Sequence, residues 1–425
     1  MQQPNASQPF DVVISGASYA GLSLATALAQ SLPGIRIALL DQKPLVARST
    51  NATAGNAATE RSGDPRSFAI SAASRHLLEA IGVWHHIEAS SQPISAIEIT
   101  DSELDAGVRP TILSYANATS DGEAASHIVP GQVLANALAE ATFALRDITP
   151  IAPAAALRHD GGAALANVRL ADGRDVEGRL VVAAEGRRSA LRESAGIKLV
   201  GWSYEQTGIV VTVAHELAHD GRAVQHFLPS GPFAILPLPG NRSCITWSEA
   251  TPEARRILAL DDVAFLAELD RRFGGRLGRI TLDGPRASWP LEMHLARSYV
   301  APRLALIGDT AHGVHPIAGQ GLNLAFRDVA ALAEVIIDTL RVGGDPGGMD
   351  TLKRYERWRR FDATVSTFAF DSLNRLFSND WTLVRAARDV GLGIVDRLPF
   401  VKTMLVAEAA GLTGDLPRLL KGQAL

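Results

Sequence analysis

The sequence predicts an α/β fold: a parallel sheet with flanking helices, a mixed β-sheet region and a helical C-terminal region. Three observations predict it. An apolar run, Asp11–Ser15, ends at a glycine turn and leads through a helical pattern into a second apolar run, Ile35–Leu40. Short alternating β runs fill Thr207–Trp289, and a buried-strand pattern at Arg303–Ile307 passes through a Gly-rich turn into a long helical pattern.

Size and composition bound the answer. The 425 residues predict two or three domains, or one large α/β unit with insertions. Hydrophobic residues make up 47% and charged residues 20%, which argues against wholesale disorder, a fibrous repeat or a coiled coil. A net charge of -4 gives no electrostatic reason to expect nucleic acid as a partner. The single cysteine, Cys244, excludes an internal disulfide and a Cys-rich metal site. Val12–Ile35 is uncharged and long enough to suggest a membrane helix, but Gly16, Ser18, Gly21 and Pro33-Gly34 break it and no basic residue precedes it. The expected location is therefore cytoplasmic.

Taken in order, Asp11–Ser15, Ala20–Ser31 and Ile35–Leu40 form a β-α-β unit whose first strand is apolar on both faces, as a buried parallel strand requires. Residues 42–65 are rich in Ala, Ser, Thr, Asn and Gly and predict a long surface loop. Ser71–Ile81 is helical, Ile94–Tyr115 supplies two strands of a different sheet, and Val133–Leu145 is helical. Ala163–Leu170, the Asp172-Gly173 turn, Val176 and Leu180–Ala184 predict a small antiparallel meander. In Thr207–Trp289 the β runs enclose a helical pair around Glu253–Phe273. A helix from about Leu322 to Val342 precedes the Gly/Pro cluster Gly343–Gly348, which marks a boundary, and Leu352–Leu425 is mostly helical.

Two constellations carry chemistry. GASYAG, Gly16–Gly21, lies between strand and helix, where Gly16 allows a tight turn, Gly21 allows close strand–helix packing, and the amides of Ser18, Tyr19 and Ala20 begin a helix suited to a pyrophosphate. Ser18 replaces the middle glycine of G-x-G-x-x-G. Asp41, 25 residues after Gly16, ends the second strand where a carboxylate can accept from ribose hydroxyls, which suits FAD or NAD better than NADP. An ordinary β-α-β turn is the alternative for this segment. The second constellation is RLALIGDTAHGVHPIAGQGLNLAFRD, Arg303–Asp328. It sets Gly308 and Asp309 just past a buried strand, then runs a Pro/Gly-rich loop straight into a helix whose free amides and positive dipole end suit an electron-rich group. A capped helix behind a glycine loop would explain Gly319 and Gly321 but not the whole string.

That second string resembles the GD motif of the group A flavoprotein monooxygenases, and HPIAGQGLN within it resembles the signature of the ubiquinone-biosynthesis FAD-dependent hydroxylases. The resemblance covers nearly the whole chain. It implies FAD as cofactor, with Gly16, Ser18, Tyr19, Ala20, Gly21 and Asp41 at its ADP half. DPRSFAIS implies Arg66 beside the flavin, IVPGQVLANAL implies Gln132, and VVAAEGRRSALRESAGI implies Glu185 in the DG motif. Gly308, Asp309, Gly319, Gln320, Gly321, Leu322 and Asn323 are implied around the ribityl chain and flavin ring. LNRLFSND, VDRLPFVKTMLV and GLTGDLPRLLKG are similar to the same hydroxylases. Three residues depart from the family pattern: Ser18, Glu185 where Asp is usual, and Ala325 where the usual string is GLNLG.

The resemblance further implies a para-hydroxybenzoate hydroxylase-like fold. Its Rossmann-type FAD domain would comprise 1–90, 129–200 and 297–345, its substrate domain 91–128 and 201–296, and its helical C-terminal region 346–425. No second nucleotide-binding β-α-β follows residue 185, so the external reductant, NAD(P)H or a ferredoxin-type donor, would visit transiently. The implied reaction forms a C4a-hydroperoxyflavin from O2 and transfers one oxygen to the aromatic ring of a polyprenylated phenol. A small soluble phenol is the rival substrate, and a non-catalytic flavoprotein or scaffold of a ubiquinone-synthesis complex is the rival class. No catalytic acid or base is assigned. For His312 and His315 a loop-holding role competes with proton transfer, and for His226 a core position competes with the ring pocket. Arg187 and Arg188 form either a solvated turn or a nicotinamide phosphate site, and Trp202, Trp247 and Trp289 either core or channel. Leu392–Leu420 carries an amphipathic pattern that packs on the main body or makes a peripheral contact with the inner membrane or a partner.

Overall fold

A computed structural model describes residues 8–45, 64–104, 109–315, 319–377 and 399–425. The first sheet has the strand order Val300–Ala301, Leu304–Leu306, Asp175–Ala183, Phe10–Ser15, Ile37–Leu40 and Ile148–Ile151. Its last five strands are parallel. Val12, Val13 and Ile14 are fully buried, as are Leu180–Ala183, because helices cover the sheet. Helix Tyr19–Ser31 is buried continuously from Gly21 to Ala29. It packs between the sheet and helices Gly131–Phe143 and Gly321–Arg341, which is why it lacks a polar face.

Strand Asp175–Ala183 has three partners: Leu304–Leu306 pairs parallel with Val181–Ala183, and two others divide its length. Asp175–Gly178 pairs antiparallel with Ala166–Leu170 in the expected meander, while Gly178–Ala183 pairs parallel with Phe10–Ser15. The meander is thus an extension of the parallel sheet, a continuity that local alternation does not encode.

The second sheet has nine strands, in the order His312–Gly313, Ala287–Ala296, Leu199–His215, Arg242–Ala250, Gly231–Leu238, Arg222–Leu228, Ala96–Asp101 and Thr111–Ala116, with Ile280–Leu282 on Leu199–His215. Alternation divides its residues between two faces. Ile209, Val211, Phe233, Ile235, Ile245 and Trp247 pack on helices Thr251–Leu258 and Asp262–Phe273. Val210, Ala223, Leu236, Leu238 and Cys244 point the other way, towards Ile94, Ile128, Ala69 and Trp289. Ala69 and Ile128 belong to a small third sheet, Ser67–Ser71, Ser126–Pro130 and Gln92–Pro93, wedged between the other two.

Helix Met349–Phe377 runs beside both large sheets. The Tyr355 hydroxyl donates to Leu306 O (2.7 Å), and Glu356 Oε1 accepts from Ser298 Oγ and Tyr299 N (both 2.8 Å). Further along, Asp371 Oδ1 accepts from Trp202 Nε1 (3.1 Å) and Tyr204 Oη (2.8 Å). After helix Pro399–Ala409 the chain returns to the main core, where Leu416, Leu419 and Leu420 are buried. The main-body packing expected for the C-terminal segment holds for these residues. Residues 392–398 lie outside the described ones, as do most of the long loop at 42–65 and part of LNRLFSND.

Candidate functional site: a glycine-lined dinucleotide cleft

The first glycine turn is tight for a definable reason. Gly16 has φ +108°, and a Cβ there would overlap the carbonyl of Ala184, just past the neighbouring strand. A Cβ on Gly21 would overlap the carbonyl of Gly16, so the helix sits directly on its own preceding turn. Asp41 braces this turn: Oδ2 accepts from Ala17 N and Oδ1 from Lys43 N (both 2.8 Å). Ser18 is exposed at the N-cap and makes no side-chain cap bond, so its place in the turn demands little of its side chain. The first-turn amides of this 13-residue helix lack intrahelical acceptors and lie at the C-terminal end of strand Phe10–Ser15.

The second turn closes on the first. Gly308, with φ +58°, lies where a Cβ would be 3.3 Å from Ala325 Cβ and 3.6 Å from Ala20 Cβ. Strand Leu304–Leu306, helix Tyr19–Ser31 and helix Gly321–Arg341 therefore converge on one glycine. Ala325, the departure from GLNLG, is 5% exposed and forms part of this junction. Asp309 follows with its carboxylate exposed, and it forms no hydrogen bond or ion pair with any described residue. Its carbonyl is the fixed part, accepting from His294 Nε2 (2.8 Å).

Beneath this junction lies Asp328, fully buried. Oδ2 accepts from Gly308 N (2.9 Å) and contacts His312 Nε2 (2.6 Å), while Oδ1 accepts from Arg359 Nε (2.9 Å). Arg359 also reaches Asp362 (2.5 Å), which pairs with Arg327 (2.8 Å). Burial alone would raise the Asp328 pKa, but His312 and Arg359 outweigh it and hold the carboxyl below its usual range. His312 is thus a buried brace, as the loop-holding alternative has it.

Gly319 (φ +63°) lies against Ala69, with a Cβ position 3.3 Å from Ala69 Cβ, and leads through Gln320 into helix Gly321–Arg341. Asn323 clamps this helix to strand Ser67–Ser71: Nδ2 donates to Ala69 O (2.8 Å) and Oδ1 accepts from Ser71 N (3.0 Å). Leu322 is half-buried in the first turn, next to the main core. Pro316–Ala318 lie outside the described residues.

The third wall is a polar knot. Arg66 Nε donates to Asp64 Oδ1 (2.8 Å), Tyr19 Oη donates to Asp64 Oδ2 (2.9 Å), and Asp64 N donates to Gln132 Oε1 (3.3 Å). Gln132 Nε2 donates to Asn136 Oδ1 (2.6 Å). The Arg66 guanidinium lies 5.0 Å from the Phe68 ring centre and 5.8 Å from that of Trp289. Burial opposes the charge on Arg66, yet Asp64 holds its pKa above the usual value. Burial, reinforced by Asp64, likewise lifts the Tyr19 hydroxyl well above the ordinary phenol.

Glu185 is engaged with protein. Oε1 accepts from Ser15 Oγ (2.7 Å), and Oε2 accepts from Ser189 Oγ (2.5 Å) and Leu191 N (3.2 Å). It ties the end of the first strand to the cap of helix Ala190–Ser194, a reach that suits the longer side chain. Of the other residues singled out, His226 is 1% exposed and contacts Thr100 Oγ1 (2.5 Å) inside the second sheet's core face. Burial, then the charges of Arg109 and Arg276, push its pKa down to about 3. His315 is buried edge-on to Tyr204 (5.0 Å), and burial takes its pKa down to about 4 against the pull of Asp371. Arg187 pairs with Glu292 (2.8 Å), Arg188 is exposed, Trp247 is core, and Trp202 is tied to Asp371.

Sequence reasoning missed Asp64, Asp328 and Asp371, three carboxylates that organise the cleft through long-range contacts. Asp328 carried the one available signal, a charged residue on the apolar stripe of its helix. Among the described residues no group of three His, Cys, Asp or Glu side chains is placed to hold a metal.

Glycines at a strand-to-helix turn that admit no Cβ, the free first-turn amides of the helix that follows and an exposed carboxylate behind a buried strand define a dinucleotide-binding protein of the two-sheet flavoprotein type. Residues 9–366 match the FAD binding domain family. A ubiquinone hydroxylase of Rhodospirillum rubrum, UbiL, is 42% identical over 99% of this chain and 95% of its own. The 3-demethoxyubiquinol 3-hydroxylase of Escherichia coli is 32% identical over 95% of this chain and 99% of its own. Among solved structures, p-nitrophenol 4-monooxygenase from Pseudomonas putida shares the fold, with a TM-score of 0.75, 17% identity, and coverage of 96% of this chain and 98% of that one. The chain belongs to the FAD-dependent hydroxylases of ubiquinone biosynthesis, within the group A flavoprotein monooxygenases. It is an FAD-dependent aromatic hydroxylase.

Proposed function

We propose that the protein hydroxylates the aromatic ring of a polyprenylated phenol on the way to ubiquinone, using O2 and electrons from NAD(P)H or a ferredoxin-type donor. The observation that carries the reading is the Gly308 junction, where the two turns meet at a glycine of positive φ (+58°) packed closely on Ala325 and Ala20. FAD fits the residues present. The amides of Ser18, Tyr19, Ala20 and Gly21 would hold the pyrophosphate, with Gly16 keeping the backbone close. Asp41 retains lone pairs for the ADP ribose, and the exposed Asp309 carboxylate would accept from the ribityl hydroxyls. Gly319, Gln320, Gly321, Leu322 and Asn323 would set the second helix's N-terminus against the pyrimidine edge of the flavin. Arg66 and Gln132 would flank the ring, with Glu185 supporting from behind.

Bound FAD supplies the two-electron reduction and O2 activation that side chains cannot. The protein's own contribution is to position the ring and exclude water. Trp289, Leu236 and Val210 give the second sheet an apolar face opposite Ala69, and the Asp328 brace fixes Gly308 without presenting a proton donor to the cleft. The reading divides the chain into an FAD domain (1–90, 129–200, 297–345), a substrate domain (91–128, 201–296) and a helical region (346–425).

A polyprenyl tail calls for contact with a bilayer. No helix among the described residues is long and apolar enough to cross a membrane. Helix Met349–Phe377 instead exposes Phe361 (78%), Val365 (52%) and Phe368 (47%) on one stripe, beside the exposed Arg357 and Arg360. Aromatic and basic side chains together suit an anionic interface. Phe361→Glu with Phe368→Glu is expected to weaken sedimentation with phosphatidylglycerol vesicles; undiminished binding would remove this face from the account. The activity test supplies FAD-loaded protein, a reductant and a short-chain prenylated phenol. Hydroxylated product with one oxygen atom from 18O2 is expected, and reductant consumption yielding only peroxide would favour the non-catalytic alternative.

A further inference from the structure

We propose that the side-chain amide of Gln225 binds a neutral ring oxygen of the aromatic substrate. This rests on the hydroxylase reading above and deepens it by assigning the polar group of the ring pocket. Strand Arg222–Leu228 alternates cleanly. Val224 and Leu228 pack on the helix-covered face of the second sheet, and His226 stacks on Phe233 there, with ring centres 6.2 Å apart. Ala223, Gln225 and Phe227 therefore project from the opposite face, where Ala223 joins Leu236, Cys244 and Trp289 against Ala69.

Register places Gln225 in one cross-strand row: Ile99 beside it, then Ala234, Thr246 and Val210 on successive strands. Two rows flank it. Ala223, Leu236 and Cys244 form one, under Ala69 of the strand that meets Gly319. The other ends at Trp289, which is paired opposite Gly208 and holds the Arg66 guanidinium. The Gln225 row thus lies between two of the contacts that join this sheet to the flavin cleft. Gln225, Ala234 and Thr246 are only half-buried, whereas their row neighbour Val210 is 2% exposed.

Within this row the amide has no use for the fold. Gln225 Nε2 is shielded from water and has no hydrogen-bond partner among the described residues. Leaving a buried donor unpaired costs stability, so its retention points to a ligand that pairs it. Ile99 and Ala234 offer no side-chain acceptor, and Thr246 stands two strands away, about 10 Å by strand spacing. The Ala234 methyl leaves a shallow floor between Gln225 and Thr246, suited to a flat ring. A neutral amide matches a phenol, quinone or methoxy oxygen. A carboxylate would call for an unpaired cation: the row contains no Lys or Arg, and Arg66, the guanidinium beside Trp289, is already paired with Asp64 (2.5 Å).

The test compares wild type with Gln225→Leu, both as FAD-loaded full-length protein. Each is titrated with 2-geranylphenol and with geranylbenzene, which lacks the ring oxygen, and binding is read from the flavin absorbance difference. One neutral hydrogen bond predicts that Q225L binds 2-geranylphenol about 5- to 10-fold more weakly. Geranylbenzene should bind both proteins equally, and Q225L should keep its FAD with a Tm no lower than wild type. Equal affinity of both proteins for 2-geranylphenol overturns the assignment alone. Lost FAD with a lowered Tm also overturns it, by placing the amide in the fold. Wild-type protein that binds neither probe overturns the hydroxylase reading together with the assignment.

Discussion

Asp328→Asn tests whether the cleft is held from below. The carboxylate is fully buried and receives three groups: Gly308 N, His312 Nε2 and Arg359 Nε. Asparagine is isosteric but carries one acceptor and one donor, so its NH2 must face at least one of these donors. Arg359, 4% exposed, then retains only Asp362 as counter-ion. Breaking a buried pair by removing one partner costs about 3–5 kcal/mol, and the remaining Asp362 contact favours the lower end. At about 2.1 cal/mol/K per residue, a 425-residue chain has an unfolding entropy near 0.9 kcal/mol/K, so the expected fall in Tm is about 3–4 °C. Differential scanning calorimetry of apo protein measures it, and FAD titration of the same sample should show weaker binding, because the Gly308 amide loses its anchor. A D328N protein with unchanged Tm and FAD affinity would refute the bracing role.

Three further outcomes are expected. Asp309→Ala should weaken FAD binding about 10- to 100-fold, the worth of charge-assisted bonds to a polyol, with Tm of the apo protein unchanged; fluorimetric titration with FAD reads the first and a thermal scan the second. Gly16→Ala should abolish FAD retention, since its Cβ has no space, whereas Gly34→Ala, also positive in φ (+87°) but with nothing within 4 Å, should keep FAD and lose only modest stability. Stability should also fall as pH drops from 6.5 towards 4. His315 and His226 are held neutral by burial, with pKa values of about 4 and about 3, so the unfolded chain takes up their protons first. The stabilisation is complete above pH 6.5 and lost below it, reaching about 3 kcal/mol for His315 once both states are protonated. Urea midpoints between pH 7 and 4.5 measure it, and a flat profile would contradict the burial.

The parts of the fold that local pattern controls were legible. Phe10–Ser15, helix Tyr19–Ser31 and helix Gly321–Arg341 follow from apolar runs and periodicity, and the β runs of the second sheet from alternation. The double pairing of Asp175–Ala183 was not, because one end reads a hairpin and the other a strand distant in sequence. The cleft divides in the same way. Gly16, Gly21 and Gly308 could be named because a missing Cβ is visible in the sequence. Asp64 and Asp371 could not, because their partners Tyr19, Trp202 and Tyr204 lie 45 to 169 positions away. Glu185 shows a further limit. The motif implied its place near the flavin but not its protein partners, Ser15, Ser189 and Leu191, a set that only the folded chain assembles.

The measurement that bears most directly on the central claim is the visible absorption spectrum of the purified protein, with the released cofactor identified by chromatography, before and after incubation with excess FAD. The account predicts a flavin spectrum from stoichiometrically bound FAD, with Ser18, Glu185 and Ala325 tolerated where they stand. Folded protein that takes up no FAD would contradict it at the first step.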